Sequence, residues 1–392
     1  MLEPPFTPWP NFTCEEADAV SRVLLSNKVN YWTGGECRQF EKEFLEWAGS
    51  QYAVALANGT VALDLALHVL DIGPGDEVVV APRTFIASVS CVANAGAKPV
   101  FADVDRDSQN ITAESIRAVL TPRTRAIICV HLAGMPCEMD AIMVLASEKK
   151  LFVIEDCAQA HGALYKGKSV GTIGDIGAWS FCQDKIMTTG GEGGMLTTNH
   201  REWWEKAWSY KDHGKSWDAV YQRQHPPGFR WLHESFGTNW RLTEMQAAIG
   251  RIQLGRMREW HTARTRHAEA IRAIARTLPA LRVPELPVHV IHAWYKCYLF
   301  VRPERLRSGW SRDRVLKEIQ LRGVPCYSGS CPEVYLEKAF ENTDFRPIAR
   351  LAIAKELGET SLMFLVHPTL KSEEIQKTCD VIHAVMNLAA AR

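Results

Sequence analysis

The sequence carries no excess of charge of either sign: Lys+Arg and Asp+Glu both number 45 in 392 residues, so the formal net charge is zero. A protein that grips nucleic acid through a general basic field, or a membrane through a polybasic anchor, needs a surplus of positive charge. Neither reading suits this chain. No apolar run reaches the length of a membrane span, and the N-terminal MLEPPFTPWPNF lacks the charged and apolar regions of a secretory signal. The chain therefore reads as cytoplasmic. None of the eleven cysteines, scattered from Cys14 to Cys379, forms a C-x-x-C pair. Zinc-ribbon and thioredoxin-type readings fail on that spacing, and reduced, mostly buried thiols are expected. The 13 histidines include no H-E-x-x-H, and His289 and His292 are read without an acidic partner, so no metal site is expected. Repeats and low-complexity tracts are also missing.

What is present is ordinary globular composition, 46% hydrophobic and 23% charged, enough for one large domain and a smaller one. Over the first 250 residues, strand and helix signals alternate. Strands are expected at Tyr52–Leu56, Glu77–Ala81, Pro99–Val104, Ala126–His131, Leu151–Glu155, Ile176–Phe181 and Gly194–Thr198. Helices are expected at Thr60–Leu70, Phe85–Ala95 (ended by Gly96), Thr112–Leu120 (Thr112 as N-cap) and Met139–Lys149. Near-continuous apolar strands separated by helices indicate a parallel or mixed sheet covered on both faces, an α/β fold. Arg251–Arg276 suits a helix with Ile252, Met257, Trp260, Ala263 and Ile271 inward, and its arginines read as a solvated face. After Pro279 the pattern changes to a strand at Trp294–Val301 and helices at Arg312–Arg322 and Glu373–Ala390, the last with Ser372 as N-cap. This divides the chain into a large α/β domain over 1–255 and a smaller α+β domain over 256–392, with the N-terminal segment able to pack on the latter.

In open α/β sheets, ligands bind beyond the carboxyl ends of the strands. Asn58-Gly59-Thr60 lies between a strand and a helix start, where free N–H groups suit a phosphate, although Asn-Gly is also an ordinary turn. Asp156 follows an apolar strand, with Gln159 and His161 close behind, and reads either as a cap or as the partner of a cationic ligand. Lys185 favours the second reading. It comes just past a strand and is followed by Gly190-Gly191-Glu192-Gly193-Gly194, glycines that let backbone approach a ligand closely. Pyridoxal phosphate is a cofactor that needs this combination: a lysine for its aldehyde, an acid for its pyridine nitrogen, and a helix N-terminus with hydroxyls for its phosphate.

With these residues in place, the sequence resembles the DegT/DnrJ/EryC1/StrS family of sugar aminotransferases, pyridoxal-phosphate enzymes of the aspartate-aminotransferase fold. The resemblance spans nearly the whole chain. It runs through Tyr31-Trp32-Thr33-Gly34-Gly35, Phe40-Glu41, Asn58-Gly59-Thr60, Pro82-Arg83-Thr84-Phe85 and Glu155-Asp156-Cys157-Ala158-Gln159-Ala160-His161-Gly162. It continues through Ser180-Phe181, Lys185, Gly191-Glu192-Gly193-Gly194 and Gly237-Thr238-Asn239-Trp240-Arg241-Leu242. The order of the set is specific where each piece alone is not.

The resemblance implies a three-layer large domain with a mostly parallel sheet and a smaller α+β domain. It implies that Lys185 carries the cofactor and shuttles a proton, that Asp156 pairs with the ring nitrogen, and that Gln159 lies beside the ring. It further implies that Phe85 stacks on the ring and that Gly59, Thr60 and Ser180 hold the phosphate. Asn239 would reach the phosphate from a neighbouring subunit, which implies a homodimer with a shared active site. Tyr31, His161, Arg241 and Tyr327 are candidate substrate contacts, and His213 is either a ligand contact or a loop residue. Val324–Cys331 keeps the tyrosine of a His-Tyr pair common in the family and lacks its histidine. The implied activity is transfer of an amino group, from glutamate, to a nucleotide-linked keto sugar for polysaccharide or secondary-metabolite synthesis. Rival acceptors are an inosose or another cyclic ketone. A sugar dehydratase would carry histidine in place of Lys185, a regulator on the same fold would need no chemistry, and a nicotinamide enzyme would need a G-x-G-x-x-G that the first strand lacks.

Overall fold

The computed structural model describes residues 6–391. Two helices come first, α1 (Cys14–Leu25) and α2 (Glu36–Ala48), followed by β1 (Tyr52–Leu56), α3 (Gly59–Val69), β2 (Glu77–Val80), α4 (Ala87–Asn94) and β3 (Lys98–Phe101). Then come α5 (Ala113–Arg117), β4 (Thr124–Val130), α6 (Met139–Lys149), β5 (Phe152–Asp156), β6 (Leu164–Tyr165), β7 (Lys168–Ser169), β8 (Ile176–Ser180) and β9 (Gly194–Thr198). Helices α7 (Arg201–Tyr210), α8 (Trp217–Tyr221) and α9 (Glu244–Arg276) follow. The remainder holds β10 (Leu281–Arg282), β11 (Val290–Ile291), β12 (Cys297–Val301), α10 (Arg312–Leu321), β13 (Cys326–Tyr327), α11 (Ala352–Thr360), β14 (Ser361–Phe364) and α12 (Ser372–Ala389).

Seven strands form the main sheet in the order β1-β9-β8-β5-β4-β2-β3. The ladder is parallel from β8 through β5, β4 and β2 to β3, while β9 runs antiparallel to both of its neighbours, β1 and β8. The fold is α/β with a mostly parallel sheet, as the strand–helix alternation indicates. β2, β8 and β9 are buried along their whole length, the signature of a sheet covered on both faces. A second, antiparallel sheet runs β10-β12-β14-β13. The core of the main sheet takes in Tyr298, Phe300, Val334 and Leu357 from beyond α9, so the later part of the chain is packed against it rather than beside it. At the other end, Thr7 hydrogen-bonds Glu374 of α12 through its hydroxyl at 3.1 Å. No helix among the described residues is long and apolar enough to cross a membrane.

Several boundaries differ from the sequence reading, each for a local reason. Helix α4 starts at Ala87 rather than Phe85, because Thr84 is held by the Ser88 hydroxyl and the Phe85 ring stands out of the turn, 65% exposed. Helix α9 starts at Glu244, where Thr243 and Gln246 form a capping box. Strand β12 starts at Cys297 because Trp294 has φ of 53° and breaks the extended run. Helix α12 is preceded by Lys371, and Ser372 is its first residue rather than its cap.

The arginines of α9 form a solvated face only in part: Arg258, Arg266 and Arg276 are exposed. Arg251 pairs with Glu36 and Glu43 of α2, Arg256 pairs with Glu15 and Glu16 of α1, and Arg264 and Arg272 are buried. These pairs fasten both leading helices to α9. All eleven cysteines are free thiols, and eight are buried.

Phe44 of α2 is fully buried and packs edge-on against Trp179 of β8 at 5.2 Å and against Phe181 at 5.5 Å. Truncation there opens a cavity under the strand that leads to Lys185. Phe44→Ala is expected to lower unfolding stability by about 3–5 kcal/mol, read from the urea midpoint at unchanged slope.

Candidate active site

The carboxyl ends of β1, β5 and β8 open onto a cavity of about 870 Å³. Its far wall comes from Tyr295, Lys296 and Tyr298 around the start of β12, with Tyr327 of β13 and the Gly329–Cys331 turn. The ends of β1 and β8 are crowded together with the start of β9. A Cβ on Gly59 would lie 2.5 Å from the Ser180 Cβ, and one on Gly194 would lie 2.3 Å from the Asn58 carbonyl oxygen. Only glycine permits that approach, so the start of α3 is pressed against the end of β8.

Asn58 caps α3 by accepting from the Val61 N–H at 3.0 Å. The N–H groups of Gly59 and Thr60 have no partner within the helix, as at any helix start, and both residues line the cavity. The turn reading of Asn-Gly is thereby replaced by a cap and a helix N-terminus. Ser180, the last residue of β8, faces the same space.

Asp156 ends β5. One carboxylate oxygen accepts from the Ser88 hydroxyl at 2.7 Å and the other from the Ala158 N–H at 3.1 Å. No helix follows, so this carboxylate is no N-cap; it is a fixed anion at the cavity floor, 6% exposed. Gln159 is held by the Ala133 N–H, which donates to its side-chain oxygen at 2.8 Å.

Lys185 lies in the loop between β8 and β9. The Cys182 carbonyl accepts its N–H at 3.1 Å, and the Trp9 indole donates to its carbonyl at 2.8 Å. Gly190 (φ 86°) and Gly191 (φ 128°) turn the loop back towards β9. Thr188 braces it by donating to the Phe181 carbonyl at 3.0 Å and by accepting from the Gly191 N–H at 3.3 Å. The Lys185 ammonium stands 5.3 Å from the centre of the Tyr295 ring. The exposed ring of Phe85 and the half-exposed Tyr327 complete the set.

Eight of the candidates therefore share one cavity: Gly59, Thr60, Phe85 and Asp156 with Gln159, Ser180, Lys185 and Tyr327. Four others do not line it. Tyr31 is 2% exposed, accepts from the Trp208 indole at 3.2 Å, donates to Glu41 at 3.2 Å, and carries the Lys211 ammonium 3.5 Å from its ring centre. His161 is fully buried against Trp179 and Phe181, and burial, reinforced by Lys185 and Arg264, pushes its pKa down to about 3. It stays neutral. Arg241 pairs with Asp212 at 2.8 Å, while Asn239 is exposed. Their segment is nonetheless tied to the site, because Trp240 accepts the Ala57 N–H just beyond β1 at 2.9 Å. His213 donates its N–H to the Thr238 carbonyl at 2.9 Å, a loop contact outside the cavity.

Three side chains at the site escaped sequence reading. Tyr295 donates its hydroxyl to Asp184, and burial followed by that carboxylate drives its pKa upward. Burial pushes the Lys296 ammonium down to about 8. Tyr298 also lines the cavity, with the Arg83 guanidinium 5.4 Å from its ring centre. All three lie more than 100 residues beyond Lys185 in sequence, and the only signal was the polar character of Tyr295 and Lys296 ahead of an apolar strand.

His131, Glu155 and Cys157 come close enough together to suggest a metal cluster. Their polar atoms are already used, however: Glu155 meets the His131 ring at 2.9 Å and accepts from the N–H groups of Ile173 and Gly174, and the other His131 nitrogen accepts from the Cys137 N–H. His289 does find an acid, Glu138 at 2.9 Å, and His292 turns away to accept from the Trp294 N–H.

The model of the DegT/DnrJ/EryC1/StrS aminotransferase family matches residues 10–383. The chain is 35% identical over 378 residues to GDP-perosamine synthase of Escherichia coli O157:H7, covering 95% of this chain and 96% of that one. It is 33% identical over 365 residues to the dTDP-3-amino-3,4,6-trideoxy-alpha-D-glucose transaminase of Streptomyces venezuelae, covering 93% and 90% respectively. The solved aminotransferase from Psychrobacter cryohalolentis superposes with a TM-score of 0.96 at 63% identity, covering 98% of this chain and 99% of that chain. The chain belongs to the DegT/DnrJ/EryC1/StrS aminotransferase family.

Proposed function

We propose that the protein is a cytoplasmic transaminase that moves an amino group from glutamate to a nucleotide-linked keto sugar, using pyridoxal 5'-phosphate. The observation that carries this reading is the convergence of Lys185, Asp156 and the crowded start of α3 on one cavity in a chain of this family. The GDP- and dTDP-linked names of its relatives support a sugar nucleotide as substrate.

The residues present fit the cofactor. Its phosphate belongs at the start of α3, where two free N–H groups, the positive end of an 11-residue helix and the Thr60 and Ser180 hydroxyls meet, in a space that a Cβ on Gly59 would disturb. Asp156, fixed by Ser88 and Ala158, offers one carboxylate to the ring nitrogen, and an opposite charge there favours its protonated form by about 1–3 pKa units. Phe85 offers an aromatic face, and Gln159, its oxygen already engaged by Ala133, is held beside the ring. When bound, the cofactor supplies an aldehyde that receives the amino group and a ring that takes up the electron pair left by a departing proton.

Lys185 would hold the cofactor through its side-chain nitrogen, and the same nitrogen would carry a proton to and from the substrate carbon. The loop braces at Thr188 fix where the nitrogen sits. Asn239, exposed on this chain but anchored near β1, serves the phosphate of a neighbouring copy, with Arg241 beside it, so the working unit is a homodimer. Tyr327 faces the sugar, whereas Tyr31 and His161 contribute packing. The long helix α9 spans the junction between the proposed large domain over 1–255 and the smaller one over 256–392.

Incubating the cofactor-loaded protein with L-glutamate and GDP- or dTDP-linked keto sugars should yield the amino sugar nucleotide by mass spectrometry. Amination of an inosose and of no sugar nucleotide would overturn the substrate assignment.

Asp156→Ala should cut turnover by at least about a hundredfold and weaken cofactor retention, measured by steady-state rates and by dialysis. Rates near wild type would refute its role. Mixing inactive Lys185→Ala and Asn239→Ala subunits should restore activity, since one shared site then holds both intact residues; no restoration would refute the shared dimer.

A further inference from the structure

The cavity contains a second lysine that neither cofactor binding nor proton transfer uses. Lys296 comes immediately before β12 and lines the space beside Lys185 and Tyr295. The two ammonium groups share one aromatic platform, at 5.3 Å (Lys185) and 4.7 Å (Lys296) from the centre of the Tyr295 ring. Among the described residues, Lys296 makes no hydrogen bond and no ion pair. The carboxylate that faces it, Asp184, is taken up by the Tyr295 hydroxyl.

A further cation stands behind. Arg264 of α9 is 1% exposed, lies over the Trp9 ring at 5.1 Å and hydrogen-bonds only the carbonyls of Trp294 and Tyr295, with two of its guanidinium nitrogens unpartnered. A half-buried ammonium next to a buried guanidinium is costly unless an anion joins them. The cavity is the side from which an anion can come.

We infer that Lys296 receives the carboxylate of a substrate in this cleft and so sets which substrates the enzyme accepts. The inference rests on the transaminase reading above. An amino acid that reacts at Lys185 carries its carboxylate on the reacting carbon itself, which brings that anion towards the second cation on the Tyr295 platform. The same contact would serve an acid group on the sugar, because the chemistry recognised is a carboxylate in either case. The charged and titratable groups around the ammonium are Asp184 and Lys185 from the β8–β9 loop, Arg264 from α9, Tyr295 from its own segment and His367 from beyond β14. Burial, with Arg264 and Lys185 adding to it and Asp184 opposing, holds the group down to about 8. Above that pH the charge that binds the carboxylate is lost.

Glutarate, a dicarboxylate with no amine to transfer, is the probe, titrated calorimetrically into the cofactor-loaded enzyme. Lys296→Gln should weaken its binding about 10- to 100-fold, the loss expected for one hydrogen bond to a charged group. Lys296→Arg should restore it. Wild-type affinity should fall above pH 8 while that of Lys296→Arg stays level. In single turnovers, a raised half-saturation for L-glutamate in Lys296→Gln assigns the carboxylate to the donor, and a raised value for the sugar nucleotide assigns it to the sugar. Wild-type glutarate binding and unchanged half-saturation for both substrates in Lys296→Gln would overturn the inference without touching the transaminase reading. A wild-type enzyme that discriminates glutarate through Lys296 but aminates no sugar would overturn that reading and leave this contact standing.

Discussion

Everything at the site depends on how closely the ends of β1, β9 and β8 are packed. Strand β9 lies between β1 and β8, antiparallel to both, so the chain must turn back sharply after Lys185 to enter the sheet beside the strand it has just left. The glycines at 190 and 191 make that turn, and Gly194 begins β9 against the carbonyl of Asn58. The same crowding leaves room for no side chain at Gly59. As a result, a helix N-terminus, a serine hydroxyl and a lysine-bearing loop are fixed around one space by backbone contact, independently of the flexible side chains that fill it. The aromatic layer of Phe40, Phe44, Trp179 and Phe181 beneath holds this arrangement rigid.

Zero net charge is compatible with binding anions because the positive character is local. It comes from the start of α3, from Lys185 and Lys296 in the cavity, and from Arg264 behind them. Elsewhere on the same helix, Arg251 and Arg256 are neutralised by Glu15, Glu16, Glu36 and Glu43, where they serve assembly of the leading helices rather than ligand binding. Overall charge thus excludes a class of partner and says little about the site.

The strands of the main sheet were legible because burial on both faces leaves near-continuous apolar runs such as Ala126–Val130; position at a strand end singled out Asp156 without deciding between cap and ligand partner, whereas Ser180 emerged only from the family resemblance. Lys185 was legible through its glycines. The reversed direction of β9 was not, since an apolar run carries no direction. Nor were α1 and α2: α1 buries only Glu16, Ala19 and Val23, and the apolar stripe Cys37, Phe40, Phe44 and Ala48 of α2 stands among charged residues that pair with α9. Tyr295, Lys296 and Tyr298 reach the cavity only through packing of the second sheet against the first, a long-range contact with no local pattern. Tyr31 and His161 show the converse: they sit within or beside the motif residues in sequence, but their side chains point into the core.

The central claim is that Lys185, rather than the second lysine of the same cavity, carries the cofactor. Borohydride reduction of the cofactor-loaded protein followed by peptide mapping tests it most directly. A pyridoxyl-phosphate mass on the peptide containing Lys185 is the expected result. The same mass on Lys296, or on no lysine at all, would contradict it.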